Sequence, residues 1–65
     1  MKLVTALLEP EEAAKILAVH PRALLRWARR GELPAVWLSA RVVRFDEADL
    51  ARWIAARRTP GAGEV

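Results

Sequence analysis

Cysteine and tyrosine are both absent from this 65-residue chain. Without thiols there are no disulfide staples and no thiolate metal sites. A single histidine, His20, leaves a structural zinc site without enough ligands. Catalysis has little to build on: Ser39 has no neighbouring His, and the carboxylates crowd helix starts, where capping explains them. No Gly-rich phosphate loop is present. The longest apolar run is far too short for a membrane span. Lys2 followed by LVTALL resembles a signal start, but Glu9, Glu11 and Glu12 interrupt it early. These absences describe a cytoplasmic protein that is not an enzyme, with no catalytic residue, no metal, no cofactor and no membrane partner.

A chain this short makes one domain with a small core. Residues of hydrophobic type make up 54% of it and three are Trp, which favours folding over disorder. The net charge of +3 is modest, but its placement is uneven. Glu9, Glu11 and Glu12 precede or open one helical stretch, and Asp46, Glu47 and Asp49 open another. Acids suit the positive end of a helix dipole. Between Pro21 and Arg30, however, lie Arg22, Arg26, Arg29 and Arg30 and no acidic residue. A helix this lopsided cannot pair its own charges and suits the phosphate backbone of nucleic acid.

The first helix is expected from Pro10 to about Ala18, with Ala13, Ala14, Ile16 and Leu17 as its apolar stripe. Glu9 is a poor N-cap, so this start looks weakly specified. Val19 plugs the turn, and Pro21 opens a second helix that runs to about Arg30 and stops at Gly31. Leu24, Trp27 and Ala28 form its inward face; Leu25 is placed on the outer side with the arginines. Two β-prone runs, 35–38 and 42–45, flank Ser39-Ala40-Arg41 as a hairpin, with Val36 and Leu38 on one face and Trp37 on the other. Asp46 caps a third helix reaching about Arg57. The expected core is Ile16, Leu17, Val19, Leu24, Trp27, Val36, Leu38, Phe45, Leu50, Trp53 and Ile54. Residues 1–58 form the domain, led by an apolar segment at 1–8, and 59–65 form a flexible tail.

The fold class is thus mainly α with a small β-hairpin: helix, turn, helix, two-stranded wing, closing helix. The segments EPEEAAKILAV at 9–19, RALLRWARRGELPAV at 22–36 and RVVRFDEADLARWI at 41–54 carry a resemblance. Together they resemble the excisionase-type, MerR-like winged helix-turn-helix DNA-binding domains. The resemblance implies that the second helix, 21–30, enters the major groove from its N-terminal end, with His20, Arg22, Ala23 and Arg26 nearest the DNA. It also implies that the wing, 35–45, lies on the flanking backbone through Arg41 and Arg44.

Arg22 is the candidate for reading a base edge, since Arg pairs bidentately with guanine. Arg26, Arg29 and Arg30 are candidates for phosphate contacts. Arg44 could instead pair with Asp46 or Asp49, and His20 could be turn filler or a weak cap. Trp37 stands where related domains commonly carry a basic residue. It is open to three readings: packing, a protein contact, or insertion into DNA. With Leu25 it forms a candidate protein interface.

The expected partner is double-stranded DNA, with self-association or cooperative binding on DNA and an integrase or other protein partner as further expectations. The role is that of a recombination accessory factor or a transcription regulator. The alternative is an interaction or oligomerisation module using Trp37 and Leu25, with no direct reading of DNA.

Overall fold

The computed structural model describes residues 6–59. Residues 1–5 of the apolar lead-in and 60–65 of the expected tail lie outside them. The chain runs β1 (Leu7–Leu8), α1 (Pro10–Leu17), α2 (Pro21–Arg29), β2 (Val36–Trp37), β3 (Val43–Asp46) and α3 (Glu47–Ala56). The three short strands form one antiparallel sheet in the order β1-β3-β2. None of the described helices is long and apolar enough to cross a membrane.

Local chemistry accounts for the helix starts. Pro occupies the first turn of both α1 and α2, where no amide donor is needed. Glu9, weak as a cap by residue type, works because the Glu12 carboxylate reaches back to accept the Glu9 N–H at 2.9 Å. At α3 the Asp46 carboxylate accepts the N–H groups of Ala48 and Asp49, at 2.8 and 3.2 Å.

The ends of α1 and α2 share one device. Ala18 sits in the left-handed region at φ 58° and Gly31 at φ 78°. After α1, the Val19 N–H reaches the Ala14 carbonyl at 3.0 Å and the Ala18 N–H reaches Lys15 at 3.1 Å. After α2, the Glu32 N–H reaches Trp27 at 2.9 Å and the Gly31 N–H reaches Ala28 at 3.1 Å. Two orphan carbonyls are satisfied each time, and the chain reverses out of the helix. Glycine tolerates that conformation at no steric cost, whereas alanine does not. Ala18→Gly is therefore expected to stabilise the domain by about 0.5–1 kcal/mol, net of the entropy Gly adds to the unfolded chain. Thermal melts should show a midpoint raised by about 3–5 °C.

The core is built from small and large residues together. Ala13, Ala14 and Ala28 are buried with Leu24, Leu33, Val43, Phe45 and Leu50. The alanines let α1 and α2 approach closely, which is why the expected aliphatic stripe of α1 is only partly inside. Ile16 is 49% exposed, on the edge of the helix beside that contact. Leu33, which follows the α2 cap, is 2% exposed and belongs to the core, although it is not among the residues expected there.

The wing is shorter than expected, and it turns to the core the face of Trp37 rather than the expected face of Val36 and Leu38. Trp37 pairs with Val43 and Val36 with Arg44. Trp37 thus shares the sheet face of Val43 and Phe45, whereas Val36 shares that of Arg44. Leu38 already belongs to the tip and is 59% exposed, so its expected place in the core is corrected. Ser39 organises that tip. Its Oγ accepts the Arg41 and Val42 N–H groups at 3.3 and 3.2 Å, while the Leu38 N–H reaches the Val42 carbonyl at 2.8 Å.

Candidate nucleic-acid interface

Each helical residue turns about 100° from the last. Arg22, Arg26 and Arg29 therefore fall within roughly 60° of one another on α2, opposite the buried Leu24 and Ala28. All three are exposed and none forms an ion pair within the described residues. Arg30 is exposed just past the helix and makes a loose pair with Glu32 at 4.0 Å. A pair this open to water contributes little and does not commit the side chain.

His20 is the N-cap of α2. Its Nδ1 accepts the Arg22 N–H at 3.0 Å. With Nδ1 accepting, Nε2 is the ring nitrogen left to donate, beside the start of the arginine row. Ala23 is half-buried on the flank of the helix.

Leu25 lies about 60° round α2 from Ala28. It is half-buried and packs against the core, rather than standing on the outer side with the arginines. Spacing alone did not decide this, since Leu25 lies about 60° from Ala28 on one side and about 40° from Arg29 on the other.

On the wing, Arg41 is exposed at the tip and forms no ion pair within the described residues. Arg44 is half-buried; its Nη1 donates to the Val43 carbonyl at 2.8 Å and not to Asp49. Asp49 is held by Arg52 instead. Trp37 is 38% exposed and stands near Leu38 and Val42 at the same end of the wing.

What holds α2 in place was visible only in part from the sequence. Trp27 on α2 meets Trp53 on α3, with ring centroids 5.9 Å apart and planes tilted by 30°. The Trp53 Nε1–H donates to the Glu32 carbonyl at 2.8 Å, just past the α2 cap. Arg57 lies over the other part of this assembly, 3.8 Å from the Trp53 ring centroid. The arginine row is thus mounted on a helix fixed at its start by His20 and at its end by α3.

A family model described as helix-turn-helix domain matches residues 7–58. Comparison with curated proteins and with solved structures gave no match.

Proposed function

The chain belongs to the helix-turn-helix domain family and is a small DNA-binding protein; we propose that it docks α2 in the major groove and grips the flanking backbone with its wing. The observation that carries this reading is the row of Arg22, Arg26 and Arg29, exposed and without ion pairs on the side of α2 opposite the core. Arg22, at the N-terminal end, reads a base edge. His20 and Ala23 lie beside it at the groove floor. Arg26, Arg29 and Arg30 anchor on phosphates, as do Arg41 and Arg44 from the wing. In this role the protein is a recombination accessory factor or a transcription regulator, binding cooperatively or beside a larger protein on the same DNA.

One module of this size binds weakly by itself, so useful affinity comes from several copies or from a partner. Selection of bound sequences from a random duplex pool at moderate salt tests the reading. A recurrent short motif containing guanine, with Arg22→Ala relaxing the preference at one position, is the expected result. No enrichment by the wild type would count against base reading by α2.

A further inference from the structure

Away from the arginine row, the domain carries an open groove of about 350 Å³ between the end of α1 and the end of α3. Ile16, Leu17, Trp27, Trp53 and Ile54 supply its apolar lining. Arg57 and Arg58 stand on its rim. Ile16 is 49% exposed, so this is a surface trough rather than an enclosed cavity. We infer that this groove is a docking site for an acidic amphipathic helix of a partner protein.

Charge selects the sign of the partner. Arg57 lies over Trp53 and spends a single N–H on the Trp53 carbonyl, at 3.5 Å. Among the described residues Arg58 makes no side-chain bond and no carboxylate lines the groove. Covering the apolar floor with a neutral or basic segment would leave two cations beside newly dried surface with no opposite charge to meet them. Carboxylates on the flank of the incoming segment would meet them in charge-assisted hydrogen bonds.

Backbone chemistry selects the shape of the partner. The groove is walled by helices and offers no sheet edge. An extended segment laid into it would bury unsatisfied N–H and C=O groups, whereas a helix satisfies its own. Leu-type residues at i, i+3, i+4 and i+7 would fill the trough, with tryptophan and arginine as anchors on this side. A second copy of the chain fits poorly. The exposed acidic residues of α1, Glu11 and Glu12, have only Ile16 as a large exposed apolar neighbour on that helix, and Ile16 already belongs to the groove. Trp27 lies about 100–160° round α2 from Arg22, Arg26 and Arg29, so the groove and the arginine row can be occupied together.

The test uses a synthetic helical peptide with Leu at i, i+3, i+4 and i+7 and Glu at the flanking positions, titrated by fluorescence anisotropy into the full chain. Saturable binding is expected, unchanged when the protein is pre-saturated with duplex DNA. The same peptide with Lys for Glu should not bind. Ile16→Glu, and separately the exposed pair Arg57→Glu with Arg58→Glu, should each weaken binding at least about tenfold. Circular dichroism would confirm that each variant is folded, and the rim pair keeps the test open if Ile16→Glu is not. No binding, equal binding of the Lys peptide, or displacement of the peptide by DNA would overturn the proposal. So would light scattering that shows a wild-type oligomer broken by Ile16→Glu, since the occupant would then be a second copy.

Discussion

Replacing Arg22, Arg26 and Arg29 together with Ala is expected to weaken binding to duplex DNA by about 100- to 5,000-fold, with the fold intact. The size follows from the proposed roles. A bidentate Arg–guanine contact is worth about 1–3 kcal/mol. Each phosphate contact adds roughly 1 kcal/mol at physiological salt through counterion release. Intact folding follows from the structure. All three side chains are exposed and form no hydrogen bond or ion pair within the described residues. Ala is also the residue best suited to a helix interior. Removing three like charges from one helix face relieves repulsion as well. Circular dichroism should therefore show wild-type helix content, while a DNA fragment that the wild type shifts in a gel stays free.

The second large effect belongs to the core. Phe45→Ala should leave most of the chain unfolded at 37 °C. Phe45 is completely buried in β3, the central strand, and pairs with Leu8 of β1. Truncating a buried Phe costs about 3–5 kcal/mol in transfer and cavity terms. A chain of 65 residues has only about 3–10 kcal/mol in hand. Leu24 and Leu50 are just as buried, so the void cannot collapse without disturbing both helices they belong to. Loss of the cooperative thermal transition and of the near-ultraviolet tryptophan signal would report it. A variant that melts within a few degrees of the wild type would show that the sheet does not organise the core.

The helix boundaries were legible in the sequence because they are set by nearest-neighbour chemistry. Pro10 and Pro21 open helices, Asp46 caps one, and Gly31 ends one. Leu24, Trp27 and Ala28 likewise declared the inner face of α2 by their spacing. What failed was decided between elements. Close approach of α1 and α2 gives the core to Ala13, Ala14 and Ala28 and leaves Ile16 at the edge, and a hydrophobicity pattern that favours large residues cannot show this. The wing register depends on the Ser39 hydroxyl closing the tip, which moves Leu38 out and turns Trp37 to the Val43 side. Glu9 was undervalued because a cap can be completed by the residue three positions on.

The same division holds for the candidate interface. The arginine row was readable from spacing alone, and His20 as a cap from its place before Pro21. The half-burial of Arg44 and the inward packing of Leu25 were not read, since each depends on where a strand or a helix sits against its neighbours.

The salt dependence of DNA binding tests the central claim most directly, measured in parallel for the wild type and for the chain with Arg22, Arg26 and Arg29 replaced by Ala. With Arg26, Arg29, Arg30, Arg41 and Arg44 on phosphates, the logarithm of the binding constant should fall against the logarithm of salt with a slope of about −4 to −5. Losing Arg26 and Arg29 should reduce that slope by about 2. Parallel lines for the two proteins would contradict the account, because the arginine face of α2 would then not be touching the backbone.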